Sequence, residues 1–163
     1  MAKGLLQENP NSGQGLCPSR PRQAATGPLL RRMSYLLDTN TCIAAMRGNE
    51  SVCARLAALT PDDCAISVVS YYELLAGVER CRNPSAELKK VENFVTPLRV
   101  LPFDISSAAM SARIRWELEK KGEIIGPYDL LLAGQAAALD ILLVTHNLRE
   151  FQRVAGLRVE SWA

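Results

Sequence analysis

From Met33 onward, short apolar runs alternate with longer segments whose apolar positions recur every three to four residues. The runs at 35–37, 65–69, 100–103, 141–144 and 157–159 predict strands. Helices are predicted near 40–46, 51–59, 70–80, 85–95, 105–121, 127–139 and 148–153. In the longest of these, Ile105, Ala108, Ala109, Ala112 and Trp116 form one apolar stripe, with Glu117, Glu119 and Lys120 mostly off it as a solvated face. Brief apolar strands alternating with helices predict an α/β fold around a mostly parallel sheet. In such sheets ligands bind beyond the carboxyl ends of the strands, which directs attention to the residues that follow each run. Residues 33–163 contain neither an internal repeat nor a low-complexity tract.

Residues 1–32 differ in kind. Pro10, Pro18, Pro21, Pro28 and four glycines interrupt any helical or strand period, so the stretch reads as a linker or disordered leader. Met33 is expected to be the biological start, with the leader as upstream sequence or an accessory tail. Charge divides at the same place. The leader carries five Lys and Arg against the single acid Glu8, whereas the remaining 14 basic residues face 16 acids. The formal net charge of +2 therefore hides a slightly acidic body without a basic footprint for nucleic acid. Any such contact has to rely on local basic patches or on a bound metal.

Composition narrows the class further. With 163 residues, 48% hydrophobic and 22% charged, the chain suits one soluble globular domain. The longest candidate membrane stretch, 130–144, is broken by Gly134, Gln135 and Asp140, and no membrane association is expected. The five cysteines, Cys17, Cys42, Cys53, Cys64 and Cys81, form no C-x-x-C pair, and His146 is the one histidine. A structural zinc site therefore lacks a ligand set. Buried or inert thiols in a reducing compartment, the cytoplasm, are expected.

Acids stand at the strand ends. Asp38 directly follows Leu36-Leu37, and Thr39-Asn40 lead into a helix that Asp38 or Thr39 could simply cap. Glu73 ends Ser70-Tyr71-Tyr72-Glu73, an S-x-x-E capping box in which its carboxylate would reach back to the Ser70 N–H. Asp129 lies in Gly126-Pro127-Tyr128-Asp129, a helix start with proline at its first position. Carboxylates crowded into one crevice repel unless a cation holds them, and hard oxygen donors suit Mg²⁺ or Mn²⁺. The fourth strand ends in Thr145-His146-Asn147, with Glu150 close behind. Asn147 could ligate a metal, order a water or cap a turn, and Thr145 could hydrogen-bond a carboxylate. His146 reads as a surface turn residue. Asp140 precedes its strand and belongs to the opposite sheet edge. Arg113, Arg115, Lys120 and Lys121 could touch phosphates, but Glu117 and Glu119 sit at spacings that make a solvated, ion-paired helix face the simpler reading.

The segments LLDTN (36–40), SYYELLAG (70–77), GPYDLLLA (126–133), LLVTHNLREFQRV (142–154) and GLRVESW (156–162), in this order and spacing, resemble the PIN-domain ribonucleases, specifically the VapC-type toxins of bacterial toxin–antitoxin pairs. The resemblance spans 33–163 and leaves 1–32 uncovered. It implies a three-layer α/β/α domain that binds Mg²⁺ or Mn²⁺ and hydrolyses RNA by metal-assisted attack of water on phosphorus. Asp38, Glu73 and Asp129 match the family's three acidic positions, as catalytic residues and metal ligands. Asn147 falls at a fourth catalytic position where many members carry Asp, which removes one negative charge and bears on a second metal; Glu150 could compensate. The resemblance further implies a structured RNA substrate such as tRNA, a homodimer, and a VapB-like antitoxin. Leu74, Leu75, Val78 and Leu88 could serve that interface or the core. Two other classes remain open: a catalytically silent binding module whose acids only cap helices, and a Mg²⁺-dependent phosphatase with Asp38 as nucleophile. Serine or cysteine catalysis would have to use His146, and no phosphate-binding G-x-x-x-x-G-K-[ST] loop occurs.

Overall fold

The computed structural model describes residues 33–163; the expectations for the leader, the Met33 start and Cys17 lie outside the described residues. Five parallel strands, β1 (Tyr35–Leu37), β2 (Cys64–Ser67), β3 (Arg99–Leu101), β4 (Leu142–Val144) and β5 (Val159–Glu160), form one sheet in the order β3-β2-β1-β4-β5. The connecting helices are α1 (Thr39–Met46), α2 (Glu50–Ala57), α3 (Val68–Val78), α4 (Pro84–Val95), α5 (Ile105–Lys121), α6 (Pro127–Leu139) and α7 (Leu148–Phe151).

Alternation along the strands separates two cores. Leu36, Ala65, Leu101 and Leu143 face one way and pack with Ile114, Leu118, Leu132, Ala136 and Phe151 of α5, α6 and α7. Leu37, Ile66 and Val144 face the other way, onto Cys42, Val52, Leu74 and Val91 of α1 to α4. The expected three-layer α/β/α architecture is therefore present. Trp162 closes the second core, edge-on to Tyr35 with ring centroids 5.3 Å apart. Leu74 and Val78 are buried there, and Leu75 and Leu88 pack against it partly exposed, so the core reading holds for all four. Among the described residues no helix is long and apolar enough to cross a membrane.

The pattern misplaced several boundaries. The second strand stops at Ser67, not residue 69, because the Ser67 hydroxyl accepts the Val69 N–H at 3.0 Å and starts α3 there. Val68 and Val69 read as strand by β-branching, yet they form the first helical turn. Consequently the Ser70–Glu73 capping box does not exist: Ser70 lies inside α3 and donates to the Leu37 carbonyl at 3.4 Å. Strand β3 ends at Leu101 rather than 103, as Pro102 offers no N–H to the ladder. Strand β5 is shifted to Val159–Glu160 from the expected 157–159. Of the thiols expected to be buried or inert, Cys42 and Cys64 are buried and free, Cys53 is half-buried and Cys81 is exposed; desolvation raises the Cys42 and Cys64 thiol pKa values, that of Cys64 to about 11.

Helix α5 shows the largest departure. Its expected apolar stripe faces solvent, with Ile105 89% and Trp116 58% exposed and Ala108, Ala109 and Ala112 exposed as well. The buried face is instead Ser107, Ser111, Ile114 and Leu118. The cause is the close crossing of α5 and α6. A Cβ on Gly134 would lie 1.9 Å from Ser111 Oγ and 2.6 Å from Ser111 N, so only a small residue fits opposite this glycine. Serines thus occupy the contact that a hydrophobicity count gives to larger residues.

Candidate active site

Strand β1 is central in the sheet, and the chain leaves its carboxyl end at Asp38. The Asp38 N–H extends the ladder to the Val144 carbonyl at 3.0 Å. Asp38 Oδ1 accepts the Thr41 N–H at 2.6 Å and caps α1, while Oδ2 accepts the Thr145 hydroxyl at 2.5 Å. At 3% exposure, this carboxylate is a helix cap and the floor of a crevice at once.

Glu73 enters from the second turn of α3, and the Thr39 hydroxyl donates to its Oε2. Asp129 enters from the first turn of α6, where it benefits from the unpaired N–H groups of the helix start. Burial, a hydrogen bond to Glu150 and the nearby charges of Glu150, Asp38 and Glu73 push the Asp129 carboxyl up to about 6. Glu150 moves the other way. The Asn147 amide and the Gly126 N–H, 3.3 Å from Oε2, hold its carboxyl below the usual value. Asn147 Nδ2 also donates to Asp129 Oδ2 at 3.4 Å, its side chain caps no helix, and its N–H is held by Thr145 Oγ1 at 2.9 Å.

Asp38, Glu73, Asp129 and Asn147 therefore meet in one place, as the sequence predicts. Glu150 joins them more firmly than its sequence position conveys, since it clasps the N-cap of α6 from α7. Among the described residues, no three His, Cys, Asp or Glu side chains close on a single point in these rotamers. The donor set nonetheless suits a hard divalent cation: four carboxylates, Asp38 buried and Glu73, Asp129 and Glu150 partly so, with burial first and their mutual charges after it raising the Asp129 carboxyl.

Other candidates lie elsewhere. Asp140 ends α6 at the opposite edge, in the left-handed conformation (φ 52°) that Asp tolerates, and pairs with Arg158 at 2.9 Å. His146 is exposed in the turn after β4, the surface role expected of it. Arg113 pairs with Glu117 at 3.1 Å and Arg115 with Glu119 at 2.7 Å, one helical turn apart, and Lys120 lies over the Trp116 ring at 4.8 Å. The solvated-face reading of α5's charges holds. One feature escaped the sequence reading: Tyr72 and Tyr128, each directly before a crevice acid, touch with ring centroids 5.7 Å apart.

The PIN domain family model matches residues 35–157. The chain is 38% identical over 130 residues to the tRNA(fMet)-specific endonuclease VapC of Salmonella typhimurium, covering 80% of this chain and 98% of the relative. It is 36% identical over 132 residues to ribonuclease VapC2 of Rickettsia felis, with 80% and 98% covered. The chain belongs to the PIN-domain family, among its VapC proteins. Solved VapBC structures agree with the fold. DNA-bound VapBC from Salmonella typhimurium superposes with a TM-score of 0.77 at 39% identity, covering 80% of this chain and 99% of that one. VapBC2 from Rickettsia felis, bound to a DNA fragment from its promoter, gives 0.75 at 34% identity over 80% and 100%. In this VapC-type PIN domain the crevice at the carboxyl edge of the sheet is thus the candidate active site.

Proposed function

We propose that this VapC-type protein is a divalent-metal-dependent endoribonuclease toxin that a VapB-like antitoxin neutralises. One observation carries the reading: Asp38, Glu73 and Asp129, far apart in sequence, are delivered by three different elements into one crevice at the carboxyl edge of the sheet. Curated relatives named as ribonucleases, and solved relatives that are VapBC complexes, support it. The Salmonella typhimurium relative's name makes tRNA the substrate class to test first.

Mg²⁺ or Mn²⁺ held by Asp38, Glu73 and Asp129 would polarise the scissile phosphate and lower the pKa of an attacking water. The protein's own part is positional. Thr41 N–H and Thr145 fix Asp38 against rotation, and Thr39 aims Glu73. Asp129 has to lose its proton before it can ligate. Asn147 hydrogen-bonds Asp129 as a neutral group, and Glu150 returns the negative charge that an Asp at 147 would bring. We also read the protein as a cytoplasmic homodimer, as in the resemblance to VapC toxins.

The phosphatase reading makes Asp38 a nucleophile toward small phosphate esters, whereas the curated relatives are named as ribonucleases. The silent-module reading has Asp38's cap in its favour, so the experiment must separate the two. The purified full chain is incubated with total small RNA in Mg²⁺, Mn²⁺ or EDTA, beside folded Asp38→Ala. Cleavage that requires metal and vanishes in the variant is expected. Folded protein that neither binds metal nor cuts RNA would leave the silent module as the better reading.

A further inference from the structure

Tyr72 on α3 and Tyr128 on α6 stand across the mouth of the crevice from one helix to the other. Their rings are 54% and 40% exposed, inclined at 55°, and their hydroxyls approach to 3.5 Å. Exposed aromatics cost solvation and gain nothing from the core, so a matched pair held this way, beside Glu73 and Asp129, calls for a ligand. Arg80, just past the C-cap of α3, acts electrostatically on Tyr128 and makes no ion pair among the described residues. Aromatic faces next to an unpaired cation are how proteins hold single-stranded nucleic acid: the bases stack on rings while the phosphates meet positive charge. The strand that the neighbouring acid crevice would cut brings both a π face and a phosphate to this place.

We propose that Tyr72 and Tyr128 form a stacking subsite for one unpaired base of the RNA whose phosphodiester enters the acid crevice, with Arg80 meeting a phosphate of the same strand. The inference rests on the ribonuclease reading and adds to it a substrate requirement: the strand is unpaired beside the scissile bond. The acidic body supplies little general attraction for RNA, so stacking at the mouth provides the local grip. Either base type satisfies the rings, because every base has a π face. The subsite therefore positions the strand without reading its sequence.

The test uses the full chain carrying Asp38→Asn, which does not cleave, with a short fluorescein-labelled single-stranded RNA in Mg²⁺, followed by anisotropy. Tyr72→Ala and Tyr128→Ala are each expected to weaken binding by about 5- to 150-fold, the range of a lost base–aromatic stack. Tyr72→Phe should stay close to its parent. An RNA of the same length with abasic residues should bind parent and Ala variants alike, a distinction that a merely structural role would not produce. Both rings are exposed, so the variants should melt where the parent melts. In the cleaving background, Tyr72→Ala should raise KM and leave kcat nearly unchanged. Unchanged affinity for base-bearing RNA overturns the proposal, as does equal weakening toward abasic RNA. Unchanged affinity with a loss of dimer or of antitoxin binding overturns it too, and assigns the pair to a protein contact. If the base-dependent loss is seen but the parent cleaves no RNA, the ribonuclease reading fails and the subsite stands.

Discussion

Asp38 caps α1 with one carboxylate oxygen and receives Thr145 on the other, so its removal has two separable consequences. Asp38→Ala should lose cleavage and also about 0.5–2 kcal/mol of stability, as a lost N-cap does. Asp38→Asn should keep most of that stability, since Asn caps equally well, and still lose cleavage; thermal melts beside RNA assays distinguish the effects. Asp129 gives a pH prediction. Its folded carboxyl titrates near 6, above the ordinary value of 3.8, so the metal-free fold favours its protonated form. That contribution is complete below about pH 4 and is lost as pH rises through 6. For a half-buried group, screened by solvent, it amounts to about 1 kcal/mol. Metal-free protein should therefore lose stability between pH 4 and 7 by that amount relative to Asp129→Asn, and divalent cations should bind more weakly below pH 6. Asp38 and Asp129 were legible in the sequence because one follows a strand and the other opens a helix. Glu73's true setting was not: the S-x-x-E spacing imitates a cap, and only the tertiary fold brings Thr39 to its side chain.

At the level of elements, periodicity found the seven described α-helices and five strands, but not the short 3-10 turn at Pro61–Asp63 or what each element touches. Helix α5 is the instructive failure. Alanine counts as apolar in a stripe, yet it contributes little burial, so Ile105, Ala108, Ala109, Ala112 and Trp116 look like a core face and lie in solvent. The real contact is decided by backbone proximity, which serine and glycine permit and no hydrophobicity scale records. Gly134→Ala should consequently be costly. Its Cβ would meet Ser111 N at 2.6 Å and Ser111 Cα at 2.7 Å, which cannot swing aside as a side chain would. A loss of about 1–3 kcal/mol is expected in denaturant melts, the cost of overpacking. Ser111→Gly in the same protein should fail to restore it, because the obstructing atoms are main chain.

For the whole molecule, the exposed α5 stripe gives the homodimer reading a surface to test. Ile105→Asp with Trp116→Glu should leave the melting temperature nearly unchanged and convert a dimer to a monomer in light scattering; a dimer that persists would place the contact elsewhere. The fold class was legible because alternating strands and helices with right-handed crossovers admit few topologies. The order β3-β2-β1-β4-β5 was not, since nothing local records which strands become neighbours.

That order has a consequence for synthesis. Strand β1 leaves the ribosome early, yet one of its two neighbours, β4, starts only at Leu142, and Asp38 waits for the Thr145 hydroxyl to fix its second oxygen. A nascent chain that ends at Asp140 already contains Asp38, Glu73 and Asp129 but has no Thr145 to complete their crevice. A chain truncated at Asp140 should accordingly show no cooperative melt and cut no RNA. That outcome would mean that the cell meets no active nuclease until translation of the chain is nearly done.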